Sequence, residues 1–197
     1  STQNHVYLFR LNKMKKIKTS IKGLFIIENK SFLDIRGEFM ELWNQYEFEK
    51  EGLKKDPTQD NISISKKNVI RGLHFQNKPY GQIKYVRVIQ GSILDVAVDI
   101  RKQSDTFGQH LAIELSKSNN YGLWIPNGFA HGFLSLEENT IVAYKCYGKY
   151  EPQHEHTIHW DDKKINIKWN VKNPIISEKD KKGISLETYE KSNRING

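Results

Sequence analysis

The chain has 197 residues, of which 37% are hydrophobic and 27% are charged, and its formal net charge is +8. This balance is typical of one globular domain and excludes a disordered chain. It also argues against a membrane protein, since no apolar run approaches the roughly 20 residues that a membrane span needs. Six of the eight net charges lie within residues 1–22, which contain no acidic residue, so the composition does not indicate a nucleic-acid-binding domain.

The chain begins with a basic arm. Ser1 is not a natural initiator and Met14 offers one, so we expect residues 1–13 to be a leader added for expression. We expect residues 14–197 to form a single domain, because no repeat and no Pro/Gly/Ser-rich linker divides them. The arm lacks the apolar run of a secretory signal. A basic tail that binds acidic surfaces is the alternative interpretation.

The elements that follow, in chain order, are almost all short strands. Residues 38–43 and 61–65 alternate polar and apolar side chains, which predicts half-buried strands. Residues 84–89 and 92–99 flank Gln90-Gly91, and this pattern predicts a hairpin. The other predicted strands are residues 23–28, 110–115, 121–125, 132–136 and 140–145, and the predicted helices lie near residues 46–53 and after Glu178. Short strands without intervening helices predict an all-β jelly-roll barrel with a pocket at one mouth.

Several polar side chains in and beside these strands are suited to chemistry. They are Arg71 and His74 beside Gly72, Lys84 on the following strand, and residues 124–133 followed by Tyr144. Each has a structural alternative, because a lone histidine or a tyrosine in an apolar strand more often packs than reacts. The single cysteine, Cys146, lies in an apolar run, which predicts a buried and inert thiol. Without a possible intrachain disulfide, a cytoplasmic location is the default expectation.

A metal site is a further hypothesis. Small barrels often bind metal through two histidines separated by one residue, and here Gln76 replaces the second histidine after His74. His131 could add a ligand, and the His154-Glu-His156 tract is a second candidate, although a solvated loop is the preferred interpretation there. Dinucleotide-binding, P-loop and nucleophile-elbow motifs are absent from the sequence, so nicotinamide and ATP chemistry are poorly supported.

Between about Gly23 and Asp180 the chain resembles the RmlC family, the dTDP-4-dehydrorhamnose 3,5-epimerases. The segments that carry this resemblance are residues 34–37 with Glu41, 59–61, 69–74, Lys84, 95–101, 106–108, 124–133, 144–145 and 177–180. Each segment alone is a weak sign of the family, but the order and spacing of all of them together are specific for it. The resemblance implies a cupin-type jelly roll, a nucleotide-sugar substrate, a homodimer, and no metal or other cofactor.

The resemblance also implies roles for individual residues. His74 matches the general base, Tyr144 the general acid on the opposite sugar face, Asp180 the partner of His74, and Lys84 the lysine near the substrate ketone. The matching substrate-binding residues are Arg36, Glu41, Gln59, Asn61, Arg71, His131, Glu155 and Lys179. Arg36 and Glu41 are expected to reach in from a neighbouring subunit, and Tyr150 matches a second aromatic residue.

The chemistry of such a substrate explains why these residue types are needed. Carbons C3 and C5 flank the C4 ketone, and removing a proton from either gives an enolate. A neutral imidazole can take that proton, and a cation can stabilise the oxyanion. Four alternatives stay open: an epimerase that inverts only C3 or only C5 or that uses another nucleotide-linked 4-keto sugar, a sugar-nucleotide ketoisomerase, a metal-dependent cupin enzyme, and a non-enzymatic sugar-binding jelly roll.

Overall fold

Thirteen strands, three short α-helices and one 3₁₀ helix (Pro152–His154) occur in the described part of the chain, residues 14–54 and 56–197 of a computed structural model. The expected leader, residues 1–13, lies outside the described residues. The strands are β1 (Met14–Lys18), β2 (Phe25–Asn29), β3 (Ser31–Asp34), β4 (Gly37–Met40), β5 (Gln59–Ser65), β6 (Ile70–Gln76), β7 (Ile83–Gln90), β8 (Ser92–Asp99), β9 (His110–Ser116), β10 (Tyr121–Ile125), β11 (Phe129–Ser135), β12 (Thr140–Tyr147) and β13 (Glu155–Thr157). The helices are α1 (Gln45–Lys50), α2 (Glu178–Lys181) and α3 (Leu186–Lys191).

Two antiparallel sheets pack face to face. The six-stranded sheet has the order β1-β2-β10-β7-β12-β5, and the five-stranded sheet has the order β13-β6-β11-β8-β9. Side chains that alternate along the strands fill the space between the sheets, since successive residues point to opposite faces. The buried residues of this inner core include Val86, Ile93, Ala97, Leu123, Phe133 and Val142. The predicted all-β jelly-roll architecture is confirmed.

The outer face of the five-stranded sheet is covered by the chain that follows β13. Ile158, Ile165 and Trp169 of this C-terminal segment pack with Leu73 and Phe75 of β6 in a second buried cluster. The carboxylate of Asp162 holds the segment together by accepting hydrogen bonds from the backbone nitrogens of residues 164, 165 and 186. This segment, residues 158–197, is named the C-terminal coat. It positions α2, and with it Asp180, behind β6.

The predicted hairpin of residues 84–89 and 92–99 is wrong. Strand β7 pairs with β10 and β12 in one sheet, whereas β8 pairs with β9 and β11 in the other. Gly91 makes the corner between the two sheets with φ +79°, and a Cβ there would lie 2.6 Å from the Thr140 hydroxyl oxygen. Glycine is therefore required at this corner. The chain passes here from the six-stranded sheet to the five-stranded sheet and does not form a hairpin turn.

Other elements differ in extent from the prediction. The strand predicted at residues 38–43 ends at Met40 and belongs to the separate β3–β4 hairpin, where Phe39 is 56% exposed. Strands β1, β3, β6 and β13 were not predicted. No helix in the described ranges is long and apolar enough to cross a bilayer.

Candidate active site

A cavity of about 360 Å³ opens between the two sheets. The six-stranded sheet contributes residues from β5, β7 and β12, and the five-stranded sheet contributes residues from β6, β11 and β13. Its lining includes Gln59, Asn61, Ser63, Arg71, His74, Gln82, Lys84, His131, Phe133, Tyr144, Cys146, Tyr150 and Glu155. Eight of the predicted site residues therefore converge on one concave surface, as ligand sites usually require.

His74 is held by a buried carboxylate. Its Nε2 lies 2.6 Å from Oδ1 of Asp180, whose side chain is only 5% exposed. The other carboxylate oxygen, Oδ2, accepts the backbone N–H of Gly72 at 3.1 Å. Because a carboxylate accepts hydrogen bonds, Nε2 of the neutral ring carries the proton, and the lone pair is on Nδ1. A nitrogen with a free lone pair in a partly exposed ring is suited to act as a base.

The pKa of Asp180 is lowered although burial acts to raise it. The hydrogen bond and the charge interaction with His74 act against burial, and the Gly72 N–H adds to them. The carboxylate therefore stays ionised. It can stabilise the imidazolium that forms when His74 takes a proton.

Glycine at position 72 allows β6 to approach β11 beside His74. Its φ is +114°, and a Cβ would lie 2.5 Å from the carbonyl oxygen of His131 and 2.6 Å from Cα of Gly132. In the register of the two strands, His131 is directly opposite His74. No other residue type fits this contact without displacing a strand.

Lys84 and Tyr144 lie across the cavity from His74, on the six-stranded sheet. Lys84 is paired with Cys146, and Tyr144 with Asn61, on neighbouring strands. Within the described residues, the Lys84 ammonium forms no hydrogen bond or ion pair, so its donors remain available to a ligand. Burial lowers the pKa of Lys84, and the nearby Cys146, Glu155 and Asp95 act in the opposite direction.

Burial also raises the pKa of Tyr144, with a smaller contribution from Cys146, while Arg71 acts to lower it. The phenol therefore keeps its proton near neutral pH and can donate it. Since His74 and Tyr144 belong to opposite sheets, a planar intermediate between them would have a proton acceptor on one side and a proton donor on the other.

A second histidine–aspartate pair faces the same cavity. Nε2 of His131 lies 2.7 Å from Oδ1 of Asp95, and the Asp95 side chain is fully buried. The second oxygen of Asp95, Oδ2, has no hydrogen-bond partner in the described chain. Asp95 was not predicted as a site residue, because an acid in a strand usually marks the solvent face.

The rim of the cavity carries a cluster built on Glu155. Its carboxylate pairs with the Lys179 ammonium and accepts the Tyr150 hydroxyl at 3.2 Å. Although burial acts to raise the pKa of Glu155, the hydrogen bond from Lys179 and the charge of His74 lower it. Glu155 and Lys179 are thus brought to the site, with Lys179 just outside the lining.

Arg36 and Glu41 are not brought to this cavity. Arg36 lies in the turn of the β3–β4 hairpin with 85% of its side chain exposed, and it pairs with Asp34. Glu41 follows the hairpin, and its backbone oxygen accepts a hydrogen bond from the Asn29 amide. Neither residue belongs to the cavity lining.

The residues considered as metal ligands have other partners. The Gln76 amide donates to the backbone oxygens of Tyr80 and Lys149 and accepts the Glu151 N–H, so it fixes a loop. His156 is hydrogen-bonded to Asn77. Over the described ranges, no group of three or more His, Cys, Asp or Glu side chains is arranged to hold a metal ion.

Cys146 is buried, as predicted, but its thiol lines the cavity. Its sulfur accepts a hydrogen bond from the Asn61 amide at 3.8 Å. Burial raises the pKa of the thiol, and Lys84 acts to lower it. Because a protonated thiol is a weak nucleophile, we expect Cys146 to line the cavity without reacting.

A family model described as dTDP-4-dehydrorhamnose 3,5-epimerase matches residues 18–188. The chain belongs to this epimerase family. A dTDP-4-dehydrorhamnose 3,5-epimerase of Shigella flexneri is 50% identical over 171 residues, which cover 86% of this chain and 94% of that protein. Membership makes the protein an isomerase whose substrates belong to the nucleotide sugars.

Solved structures of epimerases share the fold. RmlC of Legionella pneumophila, solved with dTDP-4-keto-L-rhamnose, superimposes with a TM-score of 0.85 at 42% identity and covers 88% of this chain and 93% of its own. ChmJ of Streptomyces bikiniensis, a 3′-monoepimerase solved with dTDP-quinovose, has a TM-score of 0.84 at 30% identity and covers 88% and 89%. Both single-centre and double-centre epimerases therefore use this architecture.

Proposed function

We propose that the protein inverts both C3 and C5 of dTDP-4-keto-6-deoxy-D-glucose to give dTDP-4-keto-L-rhamnose. The observation that carries this proposal is the placement of His74, paired with Asp180, on one sheet and of Tyr144 on the other. Two groups on opposite sides are what inversion requires. A single base would return the proton to the face from which it came.

The proposed steps follow from the cavity. Nδ1 of His74 removes the proton from the carbon next to the C4 ketone, and Asp180 stabilises the imidazolium. The Lys84 ammonium donates to the C4 oxygen as it becomes an enolate, which avoids a free carbanion. The Tyr144 hydroxyl then protonates the carbon from the opposite face. The substrate gains one proton for the one it loses, and exchange with solvent then removes the proton from His74 and returns one to Tyr144, so no step consumes a cofactor.

The remaining cavity residues are proposed to hold the nucleotide sugar. Arg71 provides a guanidinium for the phosphate oxygens. His131, fixed by Asp95, and the side chains of Gln59, Asn61 and Glu155 supply hydrogen bonds, and Lys179 orients Glu155. Tyr150 at the rim offers an aromatic ring.

We also propose that the protein acts as a homodimer in the cytoplasm. Arg36 and Glu41 do not reach the cavity of their own chain, and the hairpin that carries Arg36 exposes the apolar residues Leu33, Ile35 and Phe39. A second copy in contact with this hairpin would bury that surface and receive both side chains. The single, buried cysteine agrees with a reducing compartment.

Subunit complementation tests the shared site. Arg36→Ala and His74→Ala variants should each be inactive alone, whereas a mixed dimer contains one site with both native residues. Activity should therefore return when the two variants are mixed and allowed to exchange subunits. Two inactive variants that stay inactive in a verified mixed dimer would show that Arg36 acts within its own chain or not at all.

The first test of the reaction is incubation with dTDP-4-keto-6-deoxy-D-glucose in deuterated water, followed by NMR of the C3 and C5 protons. Deuterium with inversion at both carbons supports the proposal, and exchange at one carbon alone would favour a single-centre epimerase. His74→Ala should abolish exchange. His110→Ala, which changes a histidine outside the cavity, is the matched control.

A further inference from the structure

A buried side chain joins two loops at the mouth of the 360 Å³ cavity. The loops are residues 77–82, which connect β6 to β7, and residues 148–154, which connect β12 to β13. Gln76, the last residue of β6, is 6% exposed, and its Nε2 donates to the backbone oxygens of Tyr80 at 2.5 Å and of Lys149 at 3.1 Å. Both donors of the amide are therefore used within the protein and are not available to a ligand.

The same amide fixes the backbone on both sides of Tyr150. Nε2 of Gln76 donates to the oxygen of Lys149, and its Oε1 accepts the N–H of Glu151 at 2.7 Å. The two peptide groups that flank the Cα of Tyr150 are thus hydrogen-bonded to one side chain. Because the orientations of these two planar groups define φ and ψ of Tyr150, they also define the direction in which its side chain leaves the backbone.

The Tyr150 ring is held at its other end as well. It lines the cavity and is 43% exposed, and its hydroxyl donates to Oε2 of Glu155 at 3.2 Å. Glu155 is itself paired with Lys179. A ring that is ordered before the ligand arrives loses little conformational entropy on binding, so the ligand binds more tightly.

The part of the substrate that meets this ring follows from the position of the reacting groups. The proposed reaction places the sugar ring between His74, Lys84 and Tyr144, so the nucleotide portion extends towards the mouth, where Tyr150 lies.

We propose that Gln76 is a positioning residue for nucleotide binding. Its amide holds the loop of residues 148–154 in the conformation in which the Tyr150 ring contacts the nucleotide portion of the substrate. Gln76 acts through Tyr150 and not by a hydrogen bond of its own to the substrate. This role rests on the nucleotide-sugar substrate of the proposed function.

The dissociation constant of dTDP, measured by calorimetry, reports this role without catalysis. Tyr150→Ala should weaken dTDP binding by about tenfold, the effect of losing one stacked aromatic ring. Gln76→Met keeps the length of the side chain but loses the amide, and it should weaken dTDP binding by about fivefold or more, because the loop must then be ordered on binding. Gln90→Met is the matched control. The Gln90 amide donates to the backbone oxygen of Asn139 outside the cavity lining, so this variant should keep the native affinity.

The double variant Gln76→Met/Tyr150→Ala separates positioning from a general effect on the fold. If Gln76 acts through Tyr150, adding Gln76→Met to Tyr150→Ala should change the dTDP affinity by less than about twofold, since coupled residues do not give additive effects. Additive losses would overturn the proposal, and so would native affinity in Gln76→Met alone. Circular dichroism verifies that each variant is folded.

Hydrogen exchange in the native protein gives a test that does not depend on the folding of any variant. The Glu151 amide should be protected before dTDP is added, because Oε1 of Gln76 already accepts its hydrogen. Rapid exchange that slows only with dTDP would show that the ligand orders the loop, which contradicts the proposal.

The outcome for the proposed reaction can be told apart from this one. A native protein that binds dTDP but does not exchange the C3 and C5 protons would contradict the reaction and leave the role of Gln76 to the binding data. A native protein that does not bind dTDP would overturn both.

Discussion

Nε2 of His74 lies 2.6 Å from Oδ1 of Asp180, although 106 positions separate the two residues in the chain. Asp180 belongs to a four-residue helix of the C-terminal coat, and its other carboxylate oxygen is fixed by the Gly72 N–H. The carboxylate is thus anchored on both sides. It determines which nitrogen of His74 can accept a proton.

Asp180→Asn should lower kcat by roughly 10²- to 10⁴-fold with little change in fold, since an amide can present its N–H to the ring and stabilise the wrong tautomer. Steady-state kinetics and circular dichroism measure the two effects. Glu178→Gln changes an exposed acid on the same helix and is the matched control. Equal kcat values for Asp180→Asn and the native enzyme would contradict this role.

Tyr144→Phe should separate proton exchange from inversion. His74 would still remove a proton and return it on the same face, so deuterium should enter the substrate while its configuration is retained. NMR in deuterated water distinguishes these outcomes. Tyr147→Phe is the control, because Tyr147 packs on the outer side of the same strand and its oxygen accepts a hydrogen bond from Trp43 Nε1. Rapid inversion in Tyr144→Phe would exclude Tyr144 as the proton donor.

The Lys84 ammonium should set an alkaline limit on the reaction. Burial lowers its pKa from the ordinary 10.5, so kcat/KM should fall as the pH rises through a value below 10.5. Lys84→Met should lose roughly 10²- to 10³-fold in kcat, as expected for one oxyanion donor. Lys84→Arg keeps its charge over the whole range. If this variant is active, its kcat/KM should not decrease at alkaline pH. A decrease at the same pH as in the native enzyme would show that a group other than Lys84 causes it.

Asp99 should make folding sensitive to acid. Burial acts to raise its pKa, but hydrogen bonds from Arg101, Ser104 and Thr106 lower it to about 2 from an ordinary 3.8. A lowered pKa in the folded state gives stability that is present above pH 4 and is lost as the pH falls towards 2. The shift corresponds to about 2 kcal/mol. Urea unfolding between pH 2 and 6 measures the free energies of unfolding of the native chain and of Asp99→Asn. The difference between the two should shrink as the pH falls. A constant difference contradicts this assignment.

The sequence predicted most strands because their alternation is local. Strand β6 was missed because a register irregularity between its cavity-facing residues, Arg71 and His74, breaks the two-residue period. The β7–β8 hairpin was predicted wrongly because local sequence does not tell whether a corner such as Gly91 keeps the chain in one sheet. Pairing between distant strands decides that question.

The candidate site was predicted through family resemblance more than through pattern. The cavity brings together Lys84, His74 and Tyr144 from three strands, and no local spacing reports such a convergence. Asp95 could have been suspected, because its neighbours at two residues on either side, Ile93 and Ala97, are apolar and make an inward face. The contribution proposed for Arg36 and Glu41 to the cavity of a neighbouring chain is tested by subunit complementation.

The C-terminal coat has a consequence for how the enzyme fails under stress. It covers the five-stranded sheet from outside and carries Asp180, so the role proposed for Asp180 makes the reaction depend on the docking of this outer layer. Local opening of such a layer needs less free energy than global unfolding. On heating, catalysis should therefore stop before the spectroscopic signal of the sheets changes, and activity should recover on cooling. The loss and recovery of activity would then indicate whether the C-terminal coat is docked on the five-stranded sheet.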